Sequence, residues 1–151
     1  MIKVTDDNIR EIVYDRIVEN PLADLNDLDI SEVTDLSCLF YFCDFKGDVS
    51  RWDTSKVINM CNMFRGSAFD GDIGCWDTSS VVDMRYMFYA NERFNHDISG
   101  WVISDECNYV GIYENSIYDK ILPKGMDIRI AYGDSYDKIF KQKIDKTIET
   151  L

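Results

Sequence analysis

The chain copies itself at a fixed interval, and that repetition limits the folds open to it. Asp53-Thr54-Ser55-Lys56-Val57-Ile58-Asn59-Met60-Cys61-Asn62-Met63-Phe64 returns 24 residues later as Asp77-Thr78-Ser79-Ser80-Val81-Val82-Asp83-Met84-Arg85-Tyr86-Met87-Phe88. A looser copy precedes both, from Asp29 through Val33, Leu36 and Leu39 to Phe40. The second half of each unit recurs too: Phe45…Asp48-Val49-Ser50…Trp52, Phe69…Asp72-Ile73-Gly74…Trp76, Phe94…Asp97-Ile98-Ser99…Trp101. A unit of this size cannot bury its apolar face alone. It must do so against its neighbours, which predicts an α+β repeat solenoid of short parallel strands.

The spacing of apolar residues fills in the plan. Thr5 or Asp6 is placed to cap a helix with Ile9, Ile12, Val13 and Ile17 along one side, and Asn20-Pro21 ends it. This helix, within 1–27, is expected to cover the first unit. Three repeats follow over 28–101, a degenerate fourth over 102–125, and a C-terminal capping helix over 126–151, all in a single domain. Val57-Ile58-Asn59-Met60 and Val81-Val82-Asp83-Met84 are the expected strands, and Asp72-Ile73-Gly74-Cys75-Trp76 a second extended piece. Stacked strands lie about 4.8 Å apart, so equivalent side chains form ladders. Val33/Val57/Val81, Leu36/Met60/Met84, Leu39/Met63/Met87, Phe40/Phe64/Phe88, Phe45/Phe69/Phe94, Val49/Ile73/Ile98 and Trp52/Trp76/Trp101 read as the interior.

The third unit carries one extra residue within Tyr89-Ala90-Asn91-Glu92-Arg93, a place for a tolerant loop. Beyond Trp101 the pattern decays: Glu106 falls where Val81 would repeat, and Tyr109, Ile112 and Tyr113 replace Met84, Met87 and Phe88. Such decay marks a terminal unit. Asp134 or Ser135 then opens the last helical pattern, with Tyr136, Ile139, Phe140, Ile144, Ile148 and Leu151 on one stripe.

These residues resemble the BspA-type, leucine-rich-repeat-like family of bacterial proteins described as DUF285 repeats, whose units read like FNGDISNWDTSNVTDMSYMF. The match is closest over Phe69–Phe88 and Phe94–Trp101, and Asp24–Leu36 looks like the usual entry into such an array. The resemblance implies a right-handed, leucine-rich-repeat-like stack and a role in protein binding or adhesion. Many members are surface lipoproteins, and the family carries no shared catalytic site to transfer. The first residues, Met1-Ile2-Lys3-Val4-Thr5-Asp6-Asp7, show no secretory pattern. An intracellular, cytoplasmic adaptor or inhibitor is therefore expected rather than an adhesin.

Charge and side-chain chemistry narrow the function. Sixteen basic residues against 28 acidic ones leave a net charge of −12. Such a field serves solubility, repels nucleic acid and anionic membranes, and favours partners with basic surfaces. Its one histidine, His96, stands where the earlier units have Gly47 and Gly71, which reads as a turn. No GxSxG elbow, P-loop or dinucleotide fingerprint occurs, so no enzyme and no cofactor are predicted. The aspartates Asp48/Asp72/Asp97 and Asp29/Asp53/Asp77 read as acceptors for turn backbone rather than calcium ligands. Five cysteines (Cys38, Cys43, Cys61, Cys75 and Cys107) without CxxC read as reduced, mostly packed thiols, with no metal site.

Residues that change between units without joining the core are where specificity can be written. They comprise Tyr41/Arg65/Tyr89, Cys38/Asn62/Tyr86, Ser37/Cys61/Arg85 and Glu92-Arg93. Tyrosine and arginine are enriched at binding hot spots. Arg65, Arg85, Tyr86, Tyr89 and Arg93 are thus the predicted partner-binding residues of a non-catalytic interaction module. The alternative is an acidic phage or mobile-element inhibitor, anti-CRISPR-like, that blocks a basic nucleic-acid channel.

Overall fold

The structure, a computed structural model, describes residues 1–98 and 100–116. The expected helix over 126–151 and the end of the fourth unit fall outside the described residues. The chain opens with β1 (Ile2–Lys3), continues into α1 (Ile9–Glu19) and returns as β2 (Leu28–Asp29). β1 and β2 pair in parallel, Ile2 opposite Leu28 and Lys3 opposite Asp29. Ile9 and Val13 of α1 are buried, while Ile12 and Ile17 pack on the core edge, as the spacing predicts. Asn20 leaves the helix in an extended conformation just before Pro21.

From Leu36 onward one segment of each unit is hydrogen-bonded to the next through every second residue. The N–H groups of Leu36, Cys38, Phe40 and Phe42 donate to the carbonyls of Asn59, Cys61, Met63 and Arg65 at 2.8–3.0 Å. Met60, Asn62, Phe64 and Gly66 repeat this onto Asp83, Arg85, Met87 and Tyr89, and Met84, Tyr86, Phe88 and Ala90 onto Asn108, Val110, Ile112 and Glu114. The intervening N–H groups turn inward instead. Leu39, Tyr41, Met63, Arg65, Ser67, Met87, Tyr89 and Asn91 each donate three residues back at 3.0–3.2 Å. Overlapping turns therefore occupy the segment. The strands expected at Val57–Met60 and Val81–Met84 reduce to single parallel bridges, Asp35↔Asn59, Asn59↔Asp83 and Asp83↔Asn108. The piece at Asp72–Trp76 likewise bends through a turn, with the Trp76 N–H donating to Ile73 at 3.2 Å.

Those turns demand a left-handed residue at two places per unit. Cys38, Asn62, Tyr86 and Gly111 have φ of 56–66°, and Phe42, Gly66, Ala90 and Asn115 have φ of 47–61°. Glycine and asparagine accept this conformation readily, whereas it costs other residues about 1–2 kcal/mol.

The core is a set of aromatic columns. Phe40, Phe64, Phe88 and Tyr113 follow one another at ring separations of 5.3, 5.6 and 5.3 Å, nearly parallel. Phe45, Phe69 and Phe94 form a second column, each ring 4.2–4.5 Å from its neighbour in the first. Trp52 and Trp76 stack at 6.3 Å and 7°. The indoles of Trp52, Trp76 and Trp101 are buried, and each donates its N–H one unit back, to Leu25, Val49 and Ile73 at 2.9–3.1 Å. Buried Thr54 and Thr78 point the other way, bonding the Asp77 and Val102 carbonyls at 2.9 and 2.8 Å. Burying one such ring contributes about 1.5–3 kcal/mol, and its polar atom is satisfied at the same time.

Irregularities are absorbed by single side chains. Ser67 accepts the Phe69 N–H at 3.2 Å, two residues on. Its counterpart Asn91 reaches one residue further, accepting from both Arg93 and Phe94 at 2.9 Å, which accommodates the extra residue. In the fourth unit Cys107, not Glu106, fills the place of Val81. It is buried, and its N–H bonds Ser104 at 2.9 Å as that of Val81 bonds Thr78 at 3.0 Å.

The start of the array reveals a device the sequence reading missed. Asp6 does not cap α1; the N-cap residue is Asn8, which makes no side-chain cap. In later units the N–H pairs Ile58/Asn59 and Val82/Asp83 donate to Thr34 and Ile58, one unit back. The first unit has no such carbonyl behind it, and the Asp6 carboxylate takes its place. It accepts from the Thr34 and Asp35 N–H groups at 2.9 and 3.0 Å and from the Thr34 hydroxyl at 2.7 Å. Arg10 covers the neighbouring carbonyl of Ser37 at 2.7 Å. Partial burial works to raise the Asp6 pKa, but these bonds and the Arg10 charge outweigh it and hold the carboxyl below 3.8. Its contribution to stability is therefore full above that value and is lost as pH falls below it through the folded pKa. Asp6→Ala should destabilise by about 1–3 kcal/mol and flatten the acid limb of a Tm-against-pH curve. A wild-type curve in this variant would show that the carboxylate does not close the end.

Candidate functional site

The overlapping turns throw one row of side chains outward on successive units, and at its centre sits a caged cation. Tyr41, Arg65 and Tyr89 hold equivalent positions, and Tyr86 projects from a left-handed turn beside them. The Arg65 guanidinium carbon lies 4.5 Å from the ring centre of Tyr89, 5.5 Å from Tyr86 and 5.9 Å from Tyr41. Tyr86 and Tyr89 meet edge to face at 5.8 Å, and Tyr41 and Phe42 at 4.7 Å. Each contact of a guanidinium with a tyrosine face contributes about 0.5–1 kcal/mol at an exposed site. One Arg65 Nη donates to Asn62 Oδ1 at 3.1 Å. Among the described residues its buried Nε has no hydrogen-bond partner and no carboxylate forms an ion pair with it.

Of the predicted partner-binding residues, the structure gathers Arg65, Tyr86 and Tyr89. Arg85 points elsewhere, clamped to Asp83 by Nε at 3.0 Å and Nη2 at 2.7 Å. Burial tends to raise the Asp83 pKa, yet the Arg85 bonds and charge bring it below its ordinary value. The fork is already occupied, so Arg85 is less available to a partner than its sequence position suggests. Arg93 is exposed on the enlarged loop, and its backbone N–H donates to Asn91 Oδ1 at 2.9 Å. The residue the sequence reading left out is Phe42, 63 % exposed at a left-handed turn. Its signal was present: the other units carry Gly66 and Ala90 there, so a phenylalanine fits neither the turn nor the core.

Phe42 and Tyr86 do the same thing one step apart. The Phe42 ring lies over Gly66 and the Tyr86 ring over Gly111, where a side chain would collide with it. The glycines thus floor the aromatic row.

Elsewhere, polar residues serve the turns. Asp35, Asn59, Asp83 and Asn108 each accept the N–H two residues on, at 2.8–3.1 Å. Asp48, Asp53, Asp72 and Asp77 do likewise, at 2.8–3.1 Å. These eight side chains are turn acceptors. Among the described residues no group of three metal-binding side chains converges. His96 sits with a ring nitrogen 2.9 Å from the Asp70 carbonyl, bracing the loop it turns. Cys38 and Cys75 are exposed, Cys43 and Cys61 half-buried and Cys107 buried, so the thiols are less packed than expected. Burial lifts the pKa of Cys43 and Cys61, and that of Cys107 to about 11.

An aromatic row around an arginine that forms no ion pair among the described residues is what this geometry defines. Over residues 8–120 the chain matches the family described as Mycoplasma protein of unknown function, DUF285, and it belongs to that family. No curated protein and no solved structure matches it.

Gly66→Ala should destabilise by about 1–2 kcal/mol, from a strained φ of 61° and overlap with Phe42. With Phe42→Ala also present, the overlap disappears and the penalty should fall by about half. Additive effects in a urea double-mutant cycle would refute the contact.

Proposed function

We propose that this protein is a non-catalytic interaction module: a BspA-type, leucine-rich-repeat-like solenoid acting in the cytoplasm. It binds another protein through the row of Tyr41, Phe42, Arg65, Tyr86 and Tyr89. The observation that carries the reading is an arginine that pairs with no carboxylate among the described residues and is held among tyrosines outside the core. Tyr41 and Phe42 remain 46 % and 63 % exposed. Large aromatic groups left open at adjoining positions, around a preorganised guanidinium, have the composition of a binding hot spot. The net charge of −12 adds long-range attraction for a partner with a basic surface. Arg85 and Arg93 stand at the rim, where charges alter the rate of encounter more than affinity.

The rival reading is a carboxylate array that blocks a nucleic-acid channel. It is less favoured because the aspartates in regular ladders are committed to their own turns. The two differ in their response to salt. Contact through aromatic rings should survive roughly 0.5 M salt, whereas channel blocking should fail steeply below that and compete with DNA or RNA.

Affinity capture with quantitative mass spectrometry tests the assignment. Tyr41→Ala/Phe42→Ala and Tyr86→Ala/Tyr89→Ala should each reduce recovery of the wild-type partner at least tenfold. The first pair, being exposed, should leave stability within about 1 kcal/mol. Undiminished recovery by both pairs would rule out this face.

A further inference from the structure

We propose that Cys38 and Cys61 form a reversible disulfide under oxidation, tying the first unit to the second beside the arginine cage. The Cys38 N–H donates to the Cys61 carbonyl at 3.0 Å. That bond holds the two α-carbons roughly 5–7 Å apart, a span that a disulfide bridges. The Cys38 thiol already leans across, with Sγ 4.0 Å from the Cys61 carbonyl oxygen. Cys38 is exposed and open to oxidant, and Cys61 is half-buried beside it. Cys75 and Cys107 are turned to other partners, the Ser50 and Asn108 carbonyls.

Hydrogen peroxide balances the chemistry. The Cys38 thiolate attacks one peroxide oxygen and the O–O bond breaks. The departing hydroxide takes a proton to give water, leaving a sulfenic acid on Cys38. The Cys61 thiolate then attacks that sulfur, the S–O bond breaks and a second water leaves. Two thiols have lost two hydrogens, and both peroxide oxygens have become water. Burial, aided by the charges of Asp83 and Cys38, disfavours the Cys61 thiolate, so the second step quickens as pH rises.

The bridge would reach the cage through one side chain. Asn62 Nδ2 donates to Cys61 Sγ at 3.0 Å while its Oδ1 holds Arg65 at 3.1 Å. Drawing the sulfur towards Cys38 removes the first of these bonds and frees the amide that positions Arg65. Redox state and the exposed aromatic row are thereby coupled.

The test needs no partner, so it stands or falls apart from the binding proposal. The full chain is treated with hydrogen peroxide, its remaining thiols are alkylated, and tryptic peptides are sequenced by mass spectrometry. The expected product joins the Cys38 and Cys61 peptides with the loss of two hydrogens, and dithiothreitol reverses it. Cys43 shares the tryptic peptide of Cys38, so the link must persist in Cys43→Ser and vanish in Cys38→Ser and Cys61→Ser. Oxidation of Cys38 without that link, or a link that survives Cys38→Ser, would overturn the proposal.

Discussion

Within Leu36–Phe42, Met60–Gly66 and Met84–Ala90 every second backbone N–H donates to a carbonyl one unit further on, and the rest of the structure depends on that alternation. It leaves the intervening N–H groups to close turns within the unit, so both sets are satisfied without long strands. A buried, unmade backbone bond costs about 1–3 kcal/mol, which makes partial loss of register expensive across a whole unit. The phenylalanine columns and indole N–H bonds then follow. Once the backbone advances by one unit per step, equivalent rings must meet face to face.

An array of this kind has a difficulty at its ends, where the neighbouring unit is missing. At the first unit the answer is electrostatic as well as apolar. Asp6 presents carboxylate oxygens where a carbonyl would stand, Arg10 presents donors to Ser37, and Ile9 and Val13 close the apolar side. A carboxylate accepts stronger hydrogen bonds than an amide oxygen, which suits one residue standing in for a whole unit.

Much of this was legible in the sequence, and the limits have physical causes. Identity at a spacing of 24 residues revealed the columns, because a ring in a column needs a ring at the same place in the next unit. Spacing could not reveal the turns. Val57-Ile58-Asn59-Met60 reads as strand by composition, but the left-handed φ of Asn62 and Gly66 bends the chain that follows. Asp6 was legible only as a cap, since its true partners, Thr34 and Asp35, lie far along the chain. Register in the fourth unit shifts because Cys107 can take the valine position, which counting residues from Val81 misses. At the candidate site the sequence picked out Arg65, Tyr86 and Tyr89 by their variability. It could not foresee that Asp83, two residues before Arg85, would clamp that guanidinium.

Variation and strain coincide in this fold, and geometry explains why. A residue at positive φ on a turn directs its side chain away from the core, so replacing it leaves the aromatic columns untouched. Glycine or asparagine would be the least strained choice, and Gly66, Gly111 and Asn62 show that the array uses them. Tyr86 and Phe42 occupy the same class of position at a backbone cost of about 1–2 kcal/mol each. Part of that is offset where their rings cover the glycines one unit on and, for Tyr86, where the ring faces Arg65. Contacts that merely offset a strain would be unnecessary had the position held glycine. Of the two, Phe42 carries that cost with 63 % of its surface open to solvent, whereas Tyr86 is half-buried against Arg65 and Tyr89.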